Sequence, residues 1–370
     1  MQQFSTYVGL DVHKNSISVA VARPDGTRAQ SLGRTPNDLT RLLRALEPLG
    51  ASAQVQVCYE AGPTGYGLVR KLRELGYDCQ VVAPAKTPRV VSDRVKTDRR
   101  DAIKLADFLR SGHLTFIRVP TPEEEALRDL VRAREDIKTK HTNSKRQLNS
   151  MMLRHGRIFR AGKSLWTKRH FDWIESQEFD FEASREARDT YVGELRRYQL
   201  VLEDLDRRIE EVAQTLERAD LVVALRAFKG IKTLTAATIV AEVGDLRRFP
   251  SAAKFASFLG LTPSESSSGD NRNRGRITKA GNRRLRRMLV EAAWAYWRSP
   301  HVSRELEARS EGVTPQVRDL SWKTQRRLHR RLRALQMRGM CAKKALIAVT
   351  RELACAIWAL GQQEKPMSQA

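Results

Sequence analysis

In the first third of the chain, apolar residues alternate with polar ones in short runs, and turn residues separate the runs. TYVGLDV (6–12) and SISVAVA (16–22) read as strands around an HKN turn, ARPDG (22–26) as a second turn and TRAQSLG (27–33) as a third strand. Asn37 or Asp38 then caps an amphipathic helix through LTRLLRALEPLG, followed by a buried strand VQVCYEA (55–61), a helix YGLVRKLRELG (66–76), a strand CQVVAP (79–84) and a helix over 98–110. The order β-β-β-α-β-α-β-α predicts a mixed sheet with helices on its faces.

The pattern then lengthens. Residues 122–160 read as a long polar helix that begins at Thr121-Pro122 with a Glu-rich first turn. Residues 182–218 form another, in which Tyr191, Leu195, Tyr198, Leu202, Leu205, Ile209, Val212 and Leu216 alternate gaps of four and three, a heptad seam long enough to prefer a partner helix. The partner is either residues 122–156, as an antiparallel pair within the chain, or a second copy in a coiled coil. After 221 the helices shorten and fill with small residues (LVVALRAFKGIKTLTAATIVAEVGD, SAAKFASFLGLTP), a polar stretch SESSSGDNRNRGR (264–276) breaks the periodicity, and helices resume over 282–298 and 341–361. Residues 316–339 read as a basic helix with little apolar face, either solvated or in contact with nucleic acid. These textures divide the chain into 1–115, a helical linker 116–221, and 222–370.

Charge sharpens the division. The chain has 67 Lys+Arg against 43 Asp+Glu, a net charge of +24, and the excess is +6 over 1–115, zero over 116–221 and +18 over 222–370. An arginine-rich surplus of this size favours phosphate neutralisation and counterion release, hence nucleic acid. No membrane partner is expected, because no helix pairs the charge with a continuous apolar face. No run of about 18 apolar residues occurs and no secretory leader follows Met1, so the expected location is cytoplasmic. Cys58, Cys79, Cys341 and Cys355 show no metal-ligand spacing and are expected to be small buried hydrophobes.

Within this basic chain, four acids stand out. Asp11 ends the first strand and Glu60 the central one, so neighbouring strands would bring both to one sheet end, while Asp98 and Asp101, at i and i+3, share a helix face. Singly, each is an ordinary turn cap or helix-dipole acid. Jointly they suit two divalent ions bound by hard oxygen ligands for phosphoryl transfer, Mg²⁺ or Mn²⁺, with Lys96, Arg99 and Arg100 meeting phosphates. A second candidate lies in SESSSGDNRNRGRITKAGNRRLRR (264–287), where Ser264, Ser266, Ser267 and Ser268 precede Arg272, Arg274, Arg276, Lys279, Arg283, Arg284, Arg286 and Arg287. It reads either as a flexible nucleic-acid-binding loop or as a serine nucleophile supplied with cations for a charged transition state. FKGIKTLTAATIVAEVGD (228–245) is similar to a helix-hairpin-helix, with Lys229 and Lys232 placed to meet phosphate and Lys232 standing where a second glycine is usual.

VGLDVHK, YEAGPTGY, DRVKTDRRDA, GIKTLTAATIVAEVGDLRRF, FASFLGLTPSESSSG and GRITKAGNRRLRRML, in this order, resemble the DEDD transposases of the IS110 insertion-sequence family, the group that includes the Piv/MooV DNA invertases. The resemblance implies a RuvC-like, RNase H-type α/β domain, a helical coiled-coil linker and a mostly helical C-terminal transposase domain. It implies that Asp11, Glu60, Asp98 and Asp101 bind divalent metal and that Ser268, with Ser266 and Ser267 close by, attacks DNA to form a covalent phosphoserine. The implied partners are donor and target DNA, a structured bridge RNA and further copies of the chain as a dimer or tetramer. The competing readings are a RuvC-like junction-resolving nuclease, in which water attacks, and a non-enzymatic RNA- or DNA-binding protein.

Overall fold

A computed structural model of the protein describes residues 4–88, 97–162, 164–268 and 271–363; at Ser267, Ser268, Asn271, Arg272 and Arg274 only the backbone is described. Lys96 lies outside the described residues. The chain forms two compact units, residues 1–119 and 120–370.

The first unit is built on a six-stranded sheet in the order β3-β2-β1-β4-β5-β6, formed by β1 (Thr6–Val12), β2 (Ser16–Ala22), β3 (Gln30–Pro36), β4 (Val55–Glu60), β5 (Asp78–Val82) and β6 (Phe116–Ile117). β1, β4 and β5 run parallel, while β2, β3 and β6 pair antiparallel, which gives the mixed sheet that the strand and helix periods predict. The third strand starts three residues later than expected, because the Asp25 carboxylate accepts from both the backbone and the hydroxyl of Thr27 and so extends the turn. On one face of the sheet lie α1 (Leu39–Leu46), capped by Asp38, and α2 (Gly67–Glu74), whose Leu42, Leu46, Val69 and Leu72 are fully buried with Val8, Leu10, Val57 and Tyr59. On the other lies α3 (Asp98–Arg110), capped by the Thr97 hydroxyl.

Gly9 sets how closely α3 approaches. A Cβ at this position would lie 2.3 Å from the Ala102 carbonyl oxygen and 2.5 Å from the Ala106 nitrogen, so β1 and α3 touch backbone to backbone. Ala102 and Ala106 are the small residues that meet it from the helix.

The second unit opens with α4 (Pro122–Arg154) and α6 (Glu182–Thr215), joined through α5 (Lys168–Glu175). The two long helices run antiparallel. Arg134 forms a bidentate pair with Asp206 (2.8 and 3.0 Å), Ser144 donates to Glu194 (3.0 Å), and Leu148 clusters with Val192 and Leu195. The heptad seam faces α4, with Leu195, Leu202 and Ile209 buried, so its partner helix is supplied by the chain itself. The pairing explains the seam without a second copy.

Shorter helices follow: α7 (Ala219–Arg226), α8 (Thr233–Val243), α9 (Ala252–Phe258), α10 (Arg283–Ala293), α11 (Arg304–Arg309), α12 (Pro315–Met337) and α13 (Ala342–Gly361). α8 is buried on nearly all sides, as its run of small residues allows, and α13 buries Leu346, Val349, Leu353 and Ile357 in the same core. α12 departs from the sequence reading. It has an apolar stripe after all, Val317, Leu328, Leu332 and Leu335, which the surrounding arginines obscure in the linear pattern. The stretch expected to be a polar loop is a hairpin of β7 (Pro263–Ser268) and β8 (Asn271–Ile277), held by backbone pairing rather than by apolar alternation. Of the cysteines, Cys58 and Cys79 are buried and free, but Cys341 is exposed at the start of α13 and Cys355 is half-buried. No helix among the described residues is long and apolar enough to cross a membrane.

Candidate functional site

The acids of the first unit are placed by register. β1 and β4 are parallel with Leu10 beside Tyr59, and the same offset sets Asp11 level with Glu60. Gly9 on β1 and Cys58 on β4 both face α3, the Cys58 thiol reaching the Leu105 carbonyl at 3.8 Å. Strand alternation therefore turns Asp11 and Glu60 towards the same helix. α3 begins at that end, so Asp98 and Asp101 of its first turn arrive beside Asp11, where the positive end of the helix dipole favours carboxylates.

Among the described residues the tightest group is Asp11, Asp98 and His13, whose candidate ligand atoms all lie within 4.8 Å of one another. His13 Nε2 is 3.2 Å from Asp11 Oδ2 and 3.5 Å from Asp98 Oδ1. Asp101 reaches Lys104 at 3.5 Å. Glu60 accepts from the Thr87 hydroxyl at 2.8 Å and does not belong to the tight group. Partial burial raises the Asp11 carboxyl above its ordinary value; His13 opposes the rise, and the neighbouring Asp98 and Asp101 charges add to it. Such repulsion between acids is what a bound cation relieves. The donor set, hard carboxylate oxygens with one imidazole at the edge, fits a divalent ion such as Mg²⁺ or Mn²⁺. His13 was not among the residues singled out in the sequence. His13 sits two residues after Asp11, one residue past the end of β1, in a turn where no period marks it. Arg99 and Arg100 lie exposed on the first turn of α3.

The second unit holds the serine and the remaining cations. Ser268 is the last described residue of β7 and pairs with Asn271, and Ser267 pairs with Arg272, so the serine-bearing strand runs beside the arginine-bearing one at the hairpin tip. Ser266, Arg276, Lys279 and Arg283 are exposed. Other candidate cations are engaged inside the protein: Arg284 with Asp136 (3.2 Å), Arg287 with Glu135 (3.0 Å), and Arg286 with the Leu259 and Ala280 carbonyls (2.9 and 3.3 Å). Burial lowers the Arg286 guanidinium, and Arg283 adds to the effect.

Where the helix-hairpin-helix was expected, α7 and α8 flank a turn in which Gly230 has φ +85°. A Cβ there would lie 2.3 Å from the Ala292 carbonyl oxygen, so the close backbone approach is made to the end of α10. Lys232 pairs with Glu305 (2.6 Å), and Lys229 donates to the Ser299 carbonyl (2.9 Å). Glu242, near the end of α8, is buried against α4 and the start of α10. It accepts from Arg132 (2.8 and 3.0 Å) and from Asn282 Nδ2 (2.7 Å), while Asn282 Oδ1 caps α10. Burial works to raise the Glu242 carboxyl, but its bond to Arg132 and the charges of Arg132 and Arg128 outweigh it, leaving the group below its ordinary value.

Comparison with known proteins bears on both units. Residues 8–156 match the family model described as Transposase, DEDD_Tnp_IS110, and residues 223–307 match that of the Transposase IS116/IS110/IS902 family. A Sinorhizobium fredii protein named as a transposase, y4qE, is 41% identical over 97% of this chain and 89% of its own length. The transposase for insertion sequence element IS1533 of Leptospira borgpetersenii is 32% identical over 89% of this chain and 96% of its own. The transposase for insertion sequence element IS1111A of Coxiella burnetii is 25% identical over 79% of this chain and 73% of its own.

Proposed function

The chain belongs to the IS110 family of DEDD transposases, DNA-cleaving and DNA-joining enzymes with an RNase H-like α/β domain and a mostly helical C-terminal region, and we propose that it cleaves and exchanges strands by metal-dependent transesterification through a serine. The reading is supported by the closeness of Asp11 to Asp98 at the start of α3, with Asp101 on the same first turn of α3 and Glu60 at the end of the neighbouring strand. A divalent ion held there would supply Lewis-acid stabilisation of charge on the phosphodiester oxygens. Asp11 and Asp98 provide the nearest ligand oxygens, Asp101 and Glu60 the flanking ones, and His13 orients Asp11 through its hydrogen bond.

Ser268 is the proposed nucleophile. Its Oγ forms a bond to phosphorus as the bond from phosphorus to a deoxyribose oxygen breaks, and the serine proton passes, overall, to the departing DNA hydroxyl. The phosphoserine ester conserves the bond energy for rejoining, which attack by water does not. Arg272, Arg274 and Arg276 share the hairpin with Ser268 and suit the charge that develops on phosphorus. In keeping with the resemblance, a structured bridge RNA pairs with donor and target DNA, the active assembly is a homo-oligomer, and the enzyme works in the cytoplasm at the nucleoid.

Purified chain, RNA transcribed from the DNA flanking its gene and labelled donor DNA test the reading directly. With Mg²⁺ or Mn²⁺ a covalent protein–DNA adduct should form. Chelation, Asp11→Asn, Asp98→Asn or Ser268→Ala should each abolish it, and omission of the RNA should remove site choice. An adduct formed by Ser268→Ala would eliminate this serine, and strand exchange retained by Asp101→Asn would remove that residue from the metal site.

A further inference from the structure

Residues 320–351 contain ten Lys and Arg and no acid. α12 occupies the first half of that stretch. Its apolar stripe points into the core, and on the opposite side Trp322, Arg326, Arg330, Arg333 and Met337 follow one another at spacings of four, four, three and four, which keeps them on one face. Arg327 and Arg331, on the flank, share Glu352 (2.9 and 3.3 Å). Arg326, Arg330 and Arg333 have no acid partner among the described residues. Like charges at these spacings repel, so a helix that retains them is suited to a partner that brings the counter-charge.

Beside the Trp322 end of this face is a cavity of about 420 Å³, lined by Val302, Leu306, Glu307, Glu311, Trp322 and Gln325 among others. Its volume falls within the range of small-molecule clefts, about 300–1,000 Å³. Gln325 is 2% exposed, and its Oε1 finds no donor among the described residues. Buried amide oxygens are normally satisfied, so one left open on a cavity wall marks a place for a donor from outside. Trp322 belongs both to the arginine face and to the cavity and remains 37% exposed.

We propose that this face binds an unpaired DNA strand, whose phosphates follow Arg326, Arg330 and Arg333 while one base stacks on Trp322 and enters the cavity. Arginines that track a backbone beside an aromatic platform are the arrangement by which single strands are held. The cavity also selects. Gln325 Oε1 and the carboxylates of Glu307 and Glu311 are acceptors, whereas the Ser310 and Ser321 hydroxyls and Arg318 Nε on the same wall already donate to backbone carbonyls, so the lining favours a base edge that presents an amino group, as cytosine does, over the carbonyl that thymine offers at the same ring position. The same carboxylates repel phosphate and keep the backbone on the arginine side. The site rests on the DNA-acting reading above but needs neither the carboxylates of the first unit nor a metal.

The test is therefore run with chelator present, so that failure here and failure of the catalytic reading are separate results. Fluorescence anisotropy with the full chain compares dC15, dT15 and the RNA counterpart of dC15. Binding to dC15 should exceed binding to dT15 by about five-fold, roughly what one added neutral hydrogen bond gives. Gln325→Met should erase that preference with the arginines intact. Trp322→Ala should weaken both DNAs by about ten-fold. Arg326→Gln, Arg330→Gln and Arg333→Gln together should flatten the dependence of log K on log[salt] by about 2, from about 0.7 per neutralised phosphate of a single strand. The last two sets change exposed side chains only, so they stay informative if Gln325→Met fails to fold. An unchanged salt slope, a neutral Trp322→Ala, or a response confined to RNA would each overturn the proposal.

Discussion

At the scale of single residues, the site depends on one that carries no chemistry. Gly9 lets α3 reach β1, and the first turn of α3 arrives beside Asp11 only because the helix lies that close. Gly9→Ala forces a methyl group against backbone atoms, which cannot rotate away as a side chain can. The expected cost is about 1–3 kcal/mol of stability, the range for overpacking a filled core. Gly67→Ala, at the start of α2 where nothing lies within 4 Å of the added carbon, should cost nothing and serves as the control. Equal urea midpoints for the two variants would mean that α3 has room to spare. That Asp98 and Asp101 share one helix face was legible in the sequence because i, i+3 spacing is a local rule that survives folding. His13 was not, since a turn residue has no fixed period, and its approach to both Asp11 and Asp98 depends on where α3 lands. The turn of Glu60 towards Thr87 was equally invisible, because it depends on the short helical turn after β5.

At the scale of elements, legibility followed hydrophobic contrast. The α4–α6 pair could be read because its seam repeats every seven residues, although the pattern alone could not say whether the partner helix lay in the same chain. The β7–β8 hairpin was missed because PSESSS and NRNRGRI carry no alternation of apolar with polar residues, the arginines at every second position of the latter reading as charge rather than as a strand. The apolar stripe of α12 was lost among its arginines for a related reason: four buried apolar residues in 23 are few, yet they suffice when all join the core. One element carries a pH signature. His141, on α4, is 4% exposed, and its Nδ1 has no partner among the described residues. Burial, with the Lys145 and Lys138 charges, pushes its pKa down to about 4. As pH falls below the unfolded value near 6.5, the unfolded chain takes up a proton that the folded chain refuses, so stability declines until the folded group titrates too. Between pH 7 and pH 5 the loss from this residue should be on the order of 1–2 kcal/mol. His141→Leu should remove that part of the decline in urea titrations at the two pH values, and parallel declines for variant and parent would show that His141 titrates normally.

At the scale of the whole molecule, the acids belong to one compact unit and the serine to the other. The +18 excess of residues 222–370 falls on the serine's side, so on the proposed mechanism one unit would gather the polyanion and the other would contribute the metal ligands. If the proposed serine mechanism holds, an enzyme that cuts and rejoins several strands with one such serine per chain predicts a shared site, to which one copy supplies the acids and another Ser268. With the α6 seam already filled by α4, the copies would associate through other surfaces. Mixed assemblies decide the matter. Ser268→Ala and Asp11→Asn chains, each inactive alone, are combined and challenged with labelled donor DNA, metal and RNA. Sharing between copies predicts that part of the mixed population carries one complete site and yields a protein–DNA adduct, with the label on the Asp11→Asn chain because that chain retains the serine. If each copy uses its own acids, no adduct forms at any mixing ratio, while wild-type chain diluted into either variant still reacts in proportion to its own amount.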